Sequence, residues 1–228
     1  MKDTSIPVLQ QSPNRQQYLH EITRLIKAGF TPSQIAKINP RYKRYRGNIK
    51  SEFYHWHLKE MPLLKEMHNE WHICKPDTAI ELYTEWCNKH GRDFVYLCSD
   101  SKDHSFDRYI LKGIPPIVFM KNFMGNIKYI HLLNMLDRYK CRLDFEYSYT
   151  YTLWNTCIIT STMPPEKVYH DTDPQYLTAP LLRRLDTITY HYKEAGIDKA
   201  FAMPAEDYRD FSDLKRRAKS CKGMKFYN

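Results

Sequence analysis

A chain that grips nucleotide phosphates needs closely spaced glycines, whose backbone N–H groups converge on the anion, followed by a lysine and a serine or threonine. The seven glycines here, Gly29, Gly47, Gly91, Gly113, Gly125, Gly196 and Gly223, are scattered, and none precedes a lysine. His55 and His57, flanking Trp56, imitate the paired histidines of a metal-binding strand. The surrounding pattern is helical, however, and on a helix residues two apart diverge by about 200°, so the two rings do not share a metal. Six cysteines, Cys74, Cys87, Cys98, Cys141, Cys157 and Cys221, include no C-x-x-C pair, so they read as reduced thiols rather than a zinc site or a disulfide framework. The chemistry that remains is electrostatic. Arg41, Lys43, Arg44, Arg46 and Lys50 form one acid-free basic stretch, and Lys215, Arg216, Arg217, Lys219, Lys222 and Lys225 form another. Lys140 and Arg142 precede alternating Tyr147, Tyr149 and Tyr151, an interleaving that suits single-stranded nucleic acid, where rings stack on bases and cations follow phosphates. Asp144 and Glu146 weigh against that reading, and an ordinary exposed β-hairpin carries the same alternation.

The composition is consistent with a nucleic-acid partner. The 228 residues carry a net charge of +9 and a pI near 9.1, which favours polyanions without naming one. A hydrophobic content of 42% is enough for a buried core. No apolar run approaches the roughly 18–20 residues of a membrane span, and Met1 to Ser5 does not resemble a signal peptide, so the expectation is a cytoplasmic protein with no membrane partner.

The elements that must position these residues are legible in part. Residues 1–14 read as a flexible lead-in. Tyr18, Leu19, Ile22, Leu25 and Ile26 share one helix face, which Gly29 is placed to end. Thr31-Pro32-Ser33-Gln34 opens a second helix with a capping box, Ile35 and Ile38 facing inward, and a third helical segment runs from Arg41 to Glu60. Together they predict a helical unit over 15–62, an oligomerisation or helix-turn-helix-like element with its boundary at Pro62. Beyond it, short apolar runs at 94–98, 117–121, 156–161 and 187–192 alternate with amphipathic helices, one carrying Ala79, Ile80, Leu82 and Tyr83, another Ile130, Leu133, Met135 and Leu136. This predicts an α/β core over 63–195 with a central sheet, and a basic C-terminal segment over 196–228 with a helix from Pro204.

Residues 17–208 resemble the superfamily 3 helicase module of rolling-circle replication proteins of small plasmids and single-stranded DNA elements. The resemblance rests on Ile117-Val118-Phe119-Met120-Lys121-Asn122-Phe123-Met124-Gly125-Asn126-Ile127 with Leu132 to Leu136, similar to the Walker B strand and its following helix, and on Leu153 to Tyr169, similar to motif C with its Pro164-Pro165 turn. Phe106-Asp107-Arg108-Tyr109 looks like the segment before Walker B, Leu182-Arg183-Arg184-Leu185-Asp186 like the arginine-finger segment, and Tyr139 to Trp154 like the hairpin that touches DNA in a ring pore. The nuclease domain that precedes this module in full-length initiators has no counterpart here.

The resemblance implies a parallel-sheet ATPase core, an oligomeric ring, and ATP with magnesium as cofactors. The residues at those positions argue against hydrolysis. The phosphate-loop position reads Cys74-Lys75-Pro76-Asp77-Thr78-Ala79-Ile80-Glu81, in which Pro76 removes a donor and Asp77 repels phosphate. Lys121 and Asn122 stand where the metal carboxylates belong, and a cation there opposes the metal. Thr162 takes the sensor position. Arg183 and Arg184 are a candidate finger, but with no competent site to receive them a salt-bridge role is favoured. The expectation is therefore a replication-type module of a mobile element that binds nucleic acid, single-stranded DNA foremost, or assembles with its own kind, without ATPase activity. One alternative is a protein-interaction factor that captures and inhibits a partner; another is an active plasmid DNA or RNA helicase.

Overall fold

The computed structural model describes residues 14–99, 106–145, 148–169 and 174–220, in two compact units that divide between Lys59 and Glu60. The lead-in, Tyr147, Cys221, Lys222 and Lys225 lie outside the described residues.

In the first unit, helix α1 (Arg15–Lys27) begins at a capping box between Asn14 and Gln17 and buries Tyr18, Ile22 and Ile26. It stops at Gly29, whose φ of +86° suits glycine, with Gly29 N–H donating to Ile26 O and Phe30 N–H to Leu25 O in a Schellman closure. Helix α2 (Pro32–Ile38) starts at the Thr31–Gln34 capping box. Ile35 is buried, but Ile38 is 50% exposed, contrary to the expected pair. The helix ends there because Asn39 turns extended and caps the next element, so no further turn flanks Ile38. The third segment is not one helix: Pro40–Tyr45 is a 3-10 turn, and α3 (Arg46–Glu60) follows it. His55 and His57 both lie on α3.

The second unit is an α/β protein with a six-stranded central sheet. In chain order its elements are β1 (His68–Ile73), α4 (Pro76–His90), β2 (Val95–Ser99), α5 (Asp107–Leu111), β3 (Ile117–Lys121), α6 (Tyr129–Leu136), a hairpin of β4 (Arg142–Phe145) and β5 (Ser148–Tyr151), β6 (Thr156–Ser161), α7 (Pro174–Leu182), β7 (Thr187–Glu194), β8 (Ile197–Pro204) and α8 (Phe211–Ser220). The sheet order is β2-β3-β6-β1-β7-β8, parallel throughout except for the antiparallel β7–β8 pair. The four expected strands are present, and the core strand β1 and the edge strand β8 join them. The boundary placed at 195 falls inside the β7–β8 turn, so the C-terminal segment is not separate from the core. Tyr190 packs on Phe211, Tyr192 OH donates to Ala218 O, and Leu214 is buried in the main core cluster. The final helix starts at Phe211, not Pro204, because Ala205–Asp207 forms a 3-10 turn.

One sheet face is covered by α6, α7 and α8 around Trp71, Met120, Cys157, Ile159 and Ile188. On the other, Ala79 and Leu82 of α4 pack against Val95, Ile117, Phe119 and Ile158. Ile80 and Ile130, expected on the inner faces of their helices, are 50% and 58% exposed, each beside a buried neighbour, Ala79 or Leu132, that holds the inward position. No helix among the described residues is long and apolar enough to cross a membrane.

Two glycine-adjacent positions set backbone geometry. A Cβ on Gly125, at φ +80°, would sit 2.6 Å from Val168 O. Ala195 holds φ +51° before Gly196 in the two-residue turn joining β7 to β8, a conformation that costs an alanine about 1–2 kcal/mol. Gly125→Ala is expected to destabilise the protein by about 2 kcal/mol or more, and Ala195→Gly to stabilise it by about 0.5–1 kcal/mol, both read from urea midpoints.

Candidate functional site

In an open α/β sheet, ligands bind beyond the carboxyl ends of the strands, where neighbouring strands send their connections to opposite sides. Strands β1 and β6 are such neighbours: β1 leaves through α4 toward β2, and β6 leaves through α7 toward β7 on the other face. Around this crevice stand the ends of β1 (Cys74, Lys75), β6 (Ser161, Thr162) and, beside β6, β3 (Lys121, Asn122). The sequence-predicted positions thus converge on one edge of the sheet.

Their chemistry is not that of a phosphate cradle. Only Cys74 and Lys75 separate β1 from α4, so there is no loop to wrap a polyphosphate. Cys74 N–H already donates to Ser161 O at 2.8 Å, and Pro76 has no N–H. Burial pushes the Cys74 thiol up to about 12, so it is no thiolate. Lys75, Asp77 and Glu81 are exposed, and Asp77 sits in the first turn of α4, where its charge complements the helix dipole. Asn122 holds φ +55° and donates its N–H to Thr160 Oγ1 at 3.0 Å. Asparagine tolerates that left-handed conformation better than most residues, which gives Asn122 a structural reason of its own. Thr162 Oγ1 is 3.8 Å from Met124 Sδ.

Beside the crevice, a polar seam runs along β1 that the sequence reading missed. His68, Glu70 and His72 alternate along the strand and therefore share a face. Glu70 Oε1 lies 2.6 Å from His68 Nε2 and Oε2 lies 2.7 Å from His72 Nε2, while His72 Nδ1 meets His191 Nε2 of β7 at 2.9 Å. Burial alone would raise the Glu70 carboxyl, but the hydrogen bonds and charges of His72, then of His68, hold it below its ordinary value. Burial, followed by repulsion from His72, pushes His191 down to about 3. His191 also lines a cavity of about 420 Å³ between α4 and the β7–β8 hairpin, with Lys75, Asp77, Glu81, Lys193 and Lys199. The period-two pattern His-x-Glu-x-His was the available signal. Among the described residues no group of three or more His, Cys, Asp or Glu is arranged to hold a metal, and the seam's members are spent on one another.

Most other sequence-predicted cations in the second unit are engaged within the protein. Arg184 pairs with Asp137 Oδ2 through Nε and Nη2 at 3.1 and 2.7 Å and donates through Nη1 to Pro180 O, which makes it a strut between α7 and the end of α6. Its neighbour Arg183 is exposed beside Asp186 and Glu206. Lys140 Nζ donates to Met61 O at 2.8 Å. Arg142 pairs with Asp144 at 2.8 Å and stacks 4.4 Å from the Tyr149 ring. The second basic stretch, read as acid-free, starts directly after Asp213, whose carboxylate takes both Arg216 and Arg217; Lys215 lies over the Phe211 ring. These bonds hold the Asp213 carboxyl below its ordinary value, Arg216 first.

The first unit differs. Residues 1–59 hold eleven Lys and Arg against three Asp and Glu, and therefore carry +8 of the chain's +9. From Ile22 to Ser51 there is no carboxylate. Arg41, Lys43, Arg44 and Arg46 are all exposed, and Arg41 Nη1 donates to Tyr18 OH at 2.8 Å. No known protein family matches this chain, and no curated protein does.

The seam gives a pH dependence of definite sign. A histidine held neutral to about 3, against 6.5 when unfolded, binds fewer protons in the folded state between those values, so stability is lost as pH falls through that window, up to about 5 kcal/mol. Glu70, held low, acts in the same direction as pH falls through its folded value. Urea unfolding at stepped pH is expected to show this loss, and His191→Gln, which keeps a hydrogen-bonding side chain toward His72, to flatten it; an unchanged pH profile in that variant would refute the assignment.

Proposed function

We propose that this chain is a replication-type module, related to superfamily 3 helicase domains, that binds nucleic acid without hydrolysing ATP. The observation that carries the reading is the charge partition: an acid-free run from Ile22 to Ser51 gives the helical unit nearly all of the protein's net charge. A solvated core domain has no need of such a concentration, whereas a polyanion-binding element does. The convergence of Lys75, Lys121, Asn122 and Thr162 on the β1–β6 crevice supports the relationship, since those are the positions the resemblance assigns to nucleotide chemistry. The two-residue β1–α4 connection and the cation at Lys121 support loss of hydrolysis.

A second reading, capture of a protein partner, has one specific observation in its favour. Leu64 and Tyr139, joined by an isolated bridge, are 47% and 58% exposed, and Leu63 beside them is 72% exposed. Apolar side chains gathered in this way mark interaction surfaces.

Titration with labelled single-stranded DNA, duplex DNA and RNA across a salt series is expected to give binding that weakens steeply with salt; absence of binding to all three at low salt refutes the proposal and favours a protein partner. ATP with magnesium at millimolar concentration is expected to produce no calorimetric signal. Lys121→Asp with Asn122→Glu is expected to leave hydrolysis undetectable and to cost about 1 kcal/mol of stability, because a glutamate enters the left-handed position. Turnover by the unmodified chain would overturn this part.

A further inference from the structure

We infer that the helical unit reads duplex DNA, its 3-10 turn gripping one sugar–phosphate backbone while the exposed stripe of α3 enters the major groove, an inference that rests on the nucleic-acid-binding reading above. A 3-10 helix repeats every three residues and rises about 2 Å per residue. In Pro40-Arg41-Tyr42-Lys43-Arg44-Tyr45-Arg46 the tyrosines recur at that period: Tyr42 is buried and Tyr45 half-buried. The two other rows, Arg41 with Arg44 and Lys43 with Arg46, are exposed. Members of a row stand about 6 Å apart along the axis, a spacing on the scale of successive backbone phosphates.

The backbone of this ladder, and the Arg41 side chain within it, is held in place before any ligand arrives. Tyr18 contacts Tyr42 edge-on with centroids 5.9 Å apart and Tyr45 at 5.8 Å, its hydroxyl accepts from Arg41, and the Asn39 side chain accepts from Arg41 N–H. Preorganised cations lose little conformational entropy on binding. The ladder leads directly into α3, where Asn48, Ser51, His55 and Lys59 fall at i, i+3, i+7 and i+11 and are all exposed. Their side chains are hydrogen-bonding groups of the kind that pair with base edges, and an α-helix fits the major groove. Gly47, at the start of the helix, has open space where a Cβ would point, so the backbone there can approach closely. Of the two carboxylates adjoining the stripe in sequence, Glu52 accepts from Thr23 Oγ1 and Glu60 is exposed at the end of the helix.

The rings argue for duplex over single strand. A single strand is held by bases stacked on exposed aromatics. In this unit Tyr18, Tyr42, Phe53 and Tyr54 are buried, and the half-buried Trp56 carries Lys27 Nζ over its ring at 5.3 Å. Apart from Phe30, which is 39% exposed, the Phe, Tyr and Trp rings of the unit are buried or half-buried, which leaves phosphates and groove edges as the main groups it can address.

The test is fluorescence anisotropy on the full chain, with a mixed-sequence duplex and each of its separated strands as probes. The expected result is duplex binding about tenfold tighter or more than either strand. Lys43→Ala with Arg44→Ala, which spares the Arg41–Tyr18 bond, is expected to lower the duplex log–log salt slope by about 1.8, at an unchanged urea midpoint. Asn48→Ala with His55→Ala is expected to leave that slope intact but to reduce preference for a sequence selected from a random duplex library by about tenfold per lost base contact. Single strands that bind as tightly as the duplex, or an unchanged slope in the Lys43/Arg44 variant, would overturn the inference while nucleic-acid binding stands. Failure of all three probes would overturn the inference, and failure of RNA as well would overturn the proposed function itself.

Discussion

The second unit depends on the hydrogen-bonded pairing that lets a polar strand occupy the middle of its sheet. β1 lies between β6 and β7, yet it presents His68, Glu70 and His72 to one face. An unpaired carboxylate in that place would cost several kcal/mol. Both oxygens of Glu70 are met by imidazoles, and the outer nitrogen of His72 is met by His191, so β7 must dock in the one register that brings His191 alongside. At the strand's other end Asn69 N–H donates to Asp186 Oδ2, and its side-chain amide donates to Leu136 O and Arg184 O. The ends of α6 and α7 and the start of β7 are thereby tied to one residue. Fixing β7 also fixes β8, which pairs with no other strand, and helps to seat α8, whose first residue Phe211 is held as well by its N–H donating to Glu166.

The elements that were legible beforehand are those whose side chains form a short apolar run or repeat at the helical period. Apolar β2, β3, β6 and β7 and the capped helices α1 and α2 announce themselves in this way. β1 does not, because the sequence His-Asn-Glu-Trp-His-Ile reads as surface until its partners at the neighbouring strand, Asp186 and His191, are known, and those lie about 120 residues away. The same applies to Lys65, which is buried with its ammonium donating to Thr152 O and Trp154 O, and which burial pushes down to about 8. β8 pairs only with β7 and alternates weakly, so nothing local distinguishes it from a tail.

For the candidate site, residue types were readable and their engagements were not. The absence of a glycine-rich loop and the placement of Lys121 and Asn122 followed from sequence, whereas the left-handed backbone at Asn122 did not. The two basic stretches look alike as strings but differ in their surroundings. Asp213 lies one residue outside the stretch it neutralises, and only helical geometry brings it to Arg216 and Arg217. The carboxylate nearest in sequence to the stretch from Arg41 to Lys50 is Glu52, which accepts from Thr23 Oγ1.

The sheet's outer strand has a bearing on how this protein behaves when crowded. β8 offers a row of backbone groups on its far side, the kind of template on which another chain can add a strand and begin an amyloid-like stack. Its composition opposes that outcome. Asp198 and Lys199 are tied across to Lys193 and Glu194 at the turn end of the hairpin, and Pro204 ends the strand at the other without a donor. An incoming strand would have to strip solvent from those charges and forgo a rung at the proline. Many copies gathered along one polymer would therefore be kept from zipping together edge to edge.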